Sequence, residues 1–303
     1  MKLNKIALEE YKDTMHSKIQ DFENPEDPYR NGYIVRCGRK KLAVIGGRHR
    51  SNDKMILYLM EKAFKAIKPK VVLLEQPKDR KVEPFIEFVK NKDKKFWNEF
   101  DAAANLAIRN KADLYFIDIS DKEHFESFMQ MKDGIKLYIL FLFSEIYKTI
   151  FNTYNKTRKI ENEDYKILSE SLLLRDIIIN NDQIYNAFIK VKEKEYRNMG
   201  LIATIDKVVE ETTKKYTGKK LSHDMLIYGN LTVPFPYANY EINKINVVLE
   251  AKRDSIMLHG VINHLKKADS VMFVCGRGHA AMMRKYLLRE LKRFGKCALE
   301  KIE

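Results

Sequence analysis

Two histidines follow short glycine-rich turns in the same local pattern. His49 ends the segment Gly46-Gly47-Arg48-His49, and His279 ends the segment Gly276-Arg277-Gly278-His279. In both copies an apolar run precedes the glycines and a helical pattern follows the histidine. Glycine reaches backbone conformations that other residues avoid, so each turn allows a sharp exit from a strand. The pattern therefore predicts two histidines just beyond the carboxyl ends of two strands.

Two acidic residues stand at the equivalent place after other apolar runs. Glu75 follows Val71–Leu74, and Asp118 follows Leu114–Ile117. In a parallel sheet the carboxyl ends of the strands share one edge, and ligand sites form in the crevice outside that edge. We therefore expect the two acids and the two histidines to meet there.

Residues of these types suit the binding of a metal ion and the activation of water. His49, Glu75 and His279 would offer two imidazoles and a carboxylate to a divalent metal and leave a coordination position for water. Such a metal lowers the pKa of the bound water and polarises a carbonyl group. Asp118 would orient one histidine from behind or act as a base. Each motif is short, however, and ordinary hydrogen bonding also explains a lone histidine at a strand end.

The elements that carry these residues alternate between strand and helix in both end regions. Strands are predicted at Tyr33–Cys37, Leu42–Ile45, Val71–Leu74, Leu114–Ile117, Met225–Tyr228, Ser270–Cys275 and Lys296–Ile302. Alternation with helices indicates βαβ units around a mainly parallel sheet. Residues 121–222 show almost only helical patterns. We expect an α/β fold, with a mixed, mainly parallel sheet of two strand-GxxH-helix halves (1–120 and 223–303) and a large helical insertion (121–222).

Composition indicates a globular chain rather than a disordered or membrane-embedded one. Hydrophobic residues make up 45% and charged residues 32% of the 303 residues. The most apolar stretch, Ile135–Phe151, contains three charged residues and falls short of the roughly 20 apolar residues of a membrane span. The formal net charge is +14. Basic residues are interleaved with acidic ones and form no long block, which does not favour nucleic acid as a partner.

The cysteines and the N-terminal segment indicate the cellular location. Cys37, Cys275 and Cys297 show no CxxC spacing and are odd in number, which favours a reducing compartment and argues against a disulfide framework. The first 20 residues mix basic and acidic side chains without an apolar run, so we expect no signal peptide and a cytoplasmic protein. The oligomeric state leaves no signal in the sequence.

The paired GxxH motifs, Glu75, and Arg253-Asp254 upstream of the second motif resemble the TraB/Tiki family. That family belongs to a superfamily with erythromycin esterase and the haem-binding lipoprotein ChaN. The matching segments are 46–49, 71–75, 102–118, 252–254 and 276–279. The chain departs from many TraB proteins in lacking a C-terminal membrane segment and in having Gln76-Pro77 after the glutamate. These departures leave the substrate open.

The resemblance implies a hydrolytic site at the carboxyl edge of the sheet, and Tiki-like members are metal-dependent peptidases. It maps metal ligands onto His49, Glu75 and His279, for a metal such as Mn, Co or Zn. Glu75, Asp118 and Arg253 would be catalytic, and the arginine would hold a carboxylate or stabilise an oxyanion. We therefore expect a hydrolase that acts on a peptide or ester bond in a peptide or small-molecule substrate. Two alternatives stay open: an esterase that uses a His/Glu pair without metal, and a non-catalytic protein that binds a ligand such as haem or acts in signalling.

Overall fold

The structure of the protein is a computed structural model that describes most of the chain. The described residues are 9–12, 29, 31–47, 53–94, 97–154, 167–222, 225–226, 231 and 240–302. The predicted site residue His49 lies outside them.

The chain divides into two compact units. One consists of Met1–Asp121 and Glu250–Glu303, and the other of Lys122–Leu249. The first boundary falls beside the expected one at residue 120. The second falls at residue 249 rather than 222 and lies within the long helix Glu241–Lys267.

The first unit contains a six-stranded mixed sheet with helices, as predicted. Its strands are β1 (Gly32–Cys37), β2 (Lys40–Gly47), β3 (Val71–Pro77), β4 (Asp113–Asp118), β5 (Ser270–Gly276) and β6 (Cys297–Lys301). The order across the sheet is β4-β3-β5-β2-β1-β6. The four strands β4, β3, β5 and β2 are parallel, whereas β1 pairs antiparallel with β2 and β6. The two strands followed by GxxH motifs, β2 and β5, are therefore neighbours.

Helices follow the parallel strands of this unit. They are α1 (Lys54–Ile67), α2 (Val82–Asn91), α3 (Glu99–Arg109) and, after β5, α10 (Arg277–Leu291). Asp53 caps α1 by accepting hydrogen bonds from the amides of Met55 and Ile56. The helix buries one apolar stripe, which includes Met60 and Ala63, against the sheet. Strand β5 is buried along its whole length, as expected for a central strand with both faces covered.

The second unit is helical. Its helices are α4 (Asp121–Met129), α5 (Gly134–Tyr154), α6 (Ile167–Ile179), α7 (Asp182–Glu195) and α8 (Leu201–Thr217), and α9 (Glu241–Lys267) begins within it. A cluster of fully buried side chains from α5, α6 and α8, including Phe143, Leu174 and Val208, forms its core. The strand predicted at Met225–Tyr228 is wrong for Met225 and Leu226, which are helical, and the remaining two residues lie outside the described ones.

A disulfide joins Cys37 to Cys297, so the argument against disulfide bonding drawn from the cysteine pattern is wrong. The two residues face each other in the antiparallel pairing of β1 with β6, with their Cα atoms 4.2 Å apart. The register of the first and last strands creates this pairing, and the spacing of cysteines along the chain carries no trace of it. Cys275 is free and buried.

Among the helices of the described residues, none combines the length and the apolar character that a membrane crossing requires.

Candidate functional site

Three predicted residues meet at the carboxyl edge of the parallel strands. Glu75 belongs to the end of β3, Asp118 is the last residue of β4, and His279 is the third residue of α10, directly after β5. Arg253 reaches them from α9. Glu75 and Asp118 are buried, and 21% of the Arg253 side chain is exposed. The edge that the sequence predicted therefore gathers these four side chains in one polar cluster.

Arg253 is the centre of the acidic part of this cluster. Its Nη2 group donates to Oε1 of Glu75 at 2.9 Å and to Oδ2 of Asp118 at 2.6 Å, and its Nε donates to the other oxygen of Asp118 at 3.3 Å. Its Nη1 group donates to the carboxylate of Glu250, one helical turn earlier, at 3.1 and 3.3 Å. All three nitrogens of the guanidinium are thus engaged by carboxylates of the protein itself.

His279 lies between the carboxylate of Asp254 on one side and the carboxylates of Glu75 and Glu250 on the other. Its Nδ1 is 2.5 Å from Oδ1 of Asp254, and the hydroxyl of Tyr11 donates to Oδ2 of the same aspartate at 2.8 Å. Its Nε2 is 3.3 Å from Oε1 of Glu75 and 3.5 Å from Oε2 of Glu250. The imidazole is therefore oriented from one side by Asp254 and presents Nε2 to the acidic cluster on the other side.

Burial and charge shift the pKa values of this pair in opposite directions. Burial by itself raises the pKa of Glu75, but His279, Arg253 and the amide of Gly276 (2.5 Å from Oε2) hold it well below its ordinary value. Burial by itself lowers the pKa of His279, but the carboxylates of Glu75 and Asp254 outweigh it and raise that pKa well above 6.5. An imidazolium beside an ionised Glu75 follows from these shifts.

The glycines of the two turns serve close packing at this edge. None of Gly46, Gly47, Gly276 and Gly278 has a positive φ, so the predicted need for an unusual backbone conformation is wrong. A Cβ atom on Gly46 would lie 2.9 Å from the Cβ of Ala280 and the Cα of Arg277. A Cβ atom on Gly47 would lie 2.2 Å from Oε1 of Glu99. The backbone of β2 therefore approaches α10 and α3 more closely than any side chain would permit.

The thiol of Cys275 lies at the same edge but is no candidate nucleophile. Burial, followed by the nearby charge of Glu75, raises its pKa well above 9.0. A protonated, buried thiol is unreactive, because the thiolate is the nucleophilic form.

The side chains that the structure describes provide part of the ligand set expected for a divalent metal ion. In tetrahedral coordination with bonds of roughly 2.0–2.1 Å, two ligand atoms lie about 3.3 Å apart, which is the distance between Nε2 of His279 and Oε1 of Glu75. The carboxylates of Glu75, Asp118 and Glu250 all contact Arg253, and Asp254 contacts His279, so acidic groups outnumber the two cations of the cluster. Within the described residues, however, no group of three or more His, Cys, Asp and Glu side chains is arranged to hold a metal ion. The third predicted ligand, His49, lies outside them.

No protein-family profile, curated protein or solved structure matches this chain.

Four residues of the site escaped prediction as site residues, and one of them is Asp254, which directly follows Arg253 in the sequence. Glu250 lies three residues before Arg253 on the same helix, a spacing that places both on one face and could have drawn attention to it. Glu99, 3% exposed, begins α3 and lies against Gly47. Tyr11 is 1% exposed and far from the motifs in sequence, and no local pattern marks it.

Proposed function

We propose that this chain is a hydrolase of the TraB/Tiki type that activates water with His279 and Glu75 against a peptide or ester bond. The observation that carries the proposal is the hydrogen-bonded series from Tyr11 through Asp254 to His279, which leaves Nε2 facing Glu75. A histidine held at one nitrogen by a buried carboxylate and free to exchange a proton at the other is the arrangement that acid–base catalysis requires.

His279 supplies the movable proton in this proposal. Asp254 accepts a hydrogen bond from the N–H group at Nδ1 of His279, so the other nitrogen, Nε2, takes part in the reaction. The raised pKa makes the imidazolium the resting form, which can protonate a leaving group from Nε2. The ionised Glu75 accepts a proton from the attacking water, whose oxygen bonds to the carbonyl carbon as the bond to the leaving group breaks. That proton then passes from Glu75 to Nε2 of His279, 3.3 Å from Oε1, and restores the imidazolium.

Arg253 has a positioning role in this scheme. Its three nitrogens already contact Glu75, Asp118 and Glu250, so it offers little to a substrate oxyanion. Of the two roles expected from the sequence, the contacts support the holding of carboxylates. Asp118, bonded to Arg253 and to the amide of Ile119, likewise acts through the arginine rather than as a base.

A divalent metal is part of the proposal in its Tiki-like form. His279 and Glu75 would hold it together with His49, and a bound metal would lower the pKa of water and polarise a carbonyl. Because the proton on Nε2 and a metal compete for the same lone pair, metal binding would weaken as the pH falls.

The metal-independent esterase is the second candidate. Its support is the direct approach of Nε2 of His279 to Glu75, whose Oε1 already accepts a hydrogen bond from Arg253. In that form the His/Glu pair acts on water without a Lewis acid.

A substrate panel with a metal assay tests both candidates. Wild-type protein, His279→Ala and the control His259→Ala, which alters a histidine bonded to its own helix at Ser255, would be assayed against p-nitrophenyl esters and fluorogenic peptides. We expect turnover by wild type and the control and a loss of at least about 100-fold in His279→Ala. Bound metal that is lost in His279→Ala, together with chelator-sensitive turnover, would select the metal-dependent form. Turnover that survives chelation would select the esterase, and equal turnover in all three proteins would exclude both.

The substrate is proposed to be a peptide or a small molecule, and the location the cytoplasm. The disulfide between Cys37 and Cys297 removes the cysteine-based argument for that location.

A further inference from the structure

The edge of the sheet opposite the candidate site gathers lysines from separate parts of the chain. Lys70 immediately precedes β3, Lys111 lies two residues before β4, and Lys267 ends α9 shortly before β5; all three are exposed. The amide of Asp113 donates to the carbonyl of Lys70 at 2.9 Å, and the amide of Lys70 donates to the carbonyl of Ser270 at 3.0 Å. The parallel register therefore brings the three lysines to one place.

The lysines at this edge outnumber the carboxylates near them, so the edge carries a net positive charge. No ion pair of the Lys70, Lys111 or Lys267 ammonium group occurs within the part of the chain that the structure describes. Two carboxylates, Asp113 and Asp269, lie at the same edge as the three lysines, and Asp269 is paired with Lys40 at 2.9 Å. That hydrogen bond, and then the charges of Lys40 and Lys70, lower the pKa of Asp269, which places Lys70 within electrostatic reach of it.

The distribution of charge over the chain favours this unit as well. Residues 122–249 contain nearly as many acidic as basic side chains, so almost all of the +14 net charge belongs to the unit that contains the sheet. The cluster at the candidate site is acidic. The positive potential of the unit therefore arises away from that site.

An exposed aromatic ring lies two residues into the strand that begins at this edge. Tyr115, 42% exposed, lies on β4, which is the end strand of the described sheet. Its ring centroid is 4.5 Å from that of His264, which lies one turn before Lys267 on α9. Burial, and then the charge of Lys267, lower the pKa of His264, so this imidazole is neutral at neutral pH. A half-buried neutral ring thus supports one side of an exposed tyrosine.

We propose that Lys70, Lys111, Lys267 and Tyr115 form a binding surface for single-stranded nucleic acid. The lysines contact phosphates of the backbone, and a base stacks on the exposed part of Tyr115. A single strand fits better than a duplex because its base faces are free to stack. A membrane surface is less suitable, since the surface offers lysines around an aromatic ring braced by histidine rather than an apolar face. The sequence did not favour nucleic acid as a partner because it contains no long run of basic residues. The fold instead assembles a basic surface from three separate segments of the chain.

Fluorescence anisotropy with a labelled single strand of about 12 nucleotides tests this surface. The double variant Lys70→Gln/Lys111→Gln is compared with Lys54→Gln/Lys81→Gln, which removes the same charge from exposed lysines at the starts of α1 and α2. The first variant should bind more weakly, and the slope of log affinity against log salt should fall in magnitude by about 1.4. The second should change both quantities little.

Variants of the ring separate stacking from general attraction. Tyr115→Ala should weaken binding about tenfold, and Tyr115→Phe should bind as wild type does. No binding at about 50 mM salt, or equal losses in the two double variants, would overturn the proposal. It would also be overturned if the Lys70/Lys111 variant lost binding to vesicles of anionic lipid while its binding to the oligonucleotide was unchanged. None of these measurements depends on hydrolytic activity.

Discussion

The Nδ1 atom of His279 lies 2.5 Å from Oδ1 of Asp254, an aspartate with no solvent exposure. The second oxygen of that aspartate accepts a hydrogen bond from the hydroxyl of Tyr11, so both carboxylate oxygens have a hydrogen-bond partner. The imidazole cannot rotate without breaking this series. Its outer nitrogen is thereby held toward Glu75, and the proposed chemistry depends on this orientation.

Replacement of Asp254 by Asn should disable His279 without removing it. The amide keeps the shape but loses the negative charge that raises the pKa of the imidazole, so that pKa should fall. Turnover on a substrate found by the panel should drop by about 10²–10⁴-fold. Tyr11→Phe, which removes only one hydrogen bond to the aspartate, should cost less. The pKa of His279, followed by NMR, checks the effect independently of turnover, and an unchanged pKa in Asp254→Asn would refute it.

The stability of the fold should depend on pH through His279. The raised pKa means that the folded state binds this proton more tightly than the unfolded state does. The stabilisation is therefore complete below the ordinary pKa of 6.5 and is lost as the pH rises through the higher folded-state value. The urea midpoint should fall from about pH 6 to about pH 9, and should fall less in His279→Gln. Equal declines in His279→Gln and in the control His259→Gln would contradict this assignment.

Arg253→Lys should destabilise the protein although it preserves the charge. A lysine ammonium cannot bond Glu75, Asp118 and Glu250 in the planar geometry that the guanidinium provides. Two of these carboxylates are buried, and their loss of partners should cost about 2–4 kcal/mol. Denaturant unfolding measures the loss. Lys252→Arg, at the neighbouring position, is the matched control and should leave the midpoint nearly unchanged, and an equally stable Arg253→Lys protein would argue against the central role of the guanidinium.

The sequence allowed the sheet and much of the site to be predicted because both leave local signals. Buried parallel strands are continuous apolar runs, and Glu75 and Asp118 stand directly after two of them. The parallel register then brings the strand ends to one edge without further information. The same rule placed His279, since its strand β5 lies between β3 and β2.

Contacts between distant segments could not be predicted in this way. Tyr11 reaches Asp254 across 243 positions of sequence, and Cys37 meets Cys297 across 260. Neither contact follows from periodicity, because each depends on which strands or helices become neighbours. The glycines were expected to adopt an unusual backbone conformation, whereas at Gly47 the absence of a side chain makes room for Glu99 on helix α3.

The disulfide can be tested by counting thiols. Under denaturing conditions, unreduced protein should expose one reactive thiol, that of Cys275, and reduced protein three. Cys297→Ser should expose two thiols without reduction and should lower stability by about 2–4 kcal/mol, since the bond closes a loop that spans most of the chain. Three thiols in freshly purified, unreduced protein would show that the cysteines are not joined, and would restore the cysteine-based argument for a reducing compartment.

Gly47→Ala should damage the fold at the candidate site. The added methyl group would lie 2.2 Å from Oε1 and 2.4 Å from Cδ of Glu99, so this buried side chain would have to shift. Overpacking of this kind costs about 1–3 kcal/mol, which urea unfolding resolves. Gly200→Ala is the matched control, because no atom lies within 4 Å of its Cβ position and its φ of −63° suits alanine. In the double variant Gly47→Ala/Glu99→Ala the methyl group gains space, so part of the lost stability should return. If the double variant were no more stable than the sum of the two single changes predicts, the crowding of Gly47 by Glu99 would not be the cause.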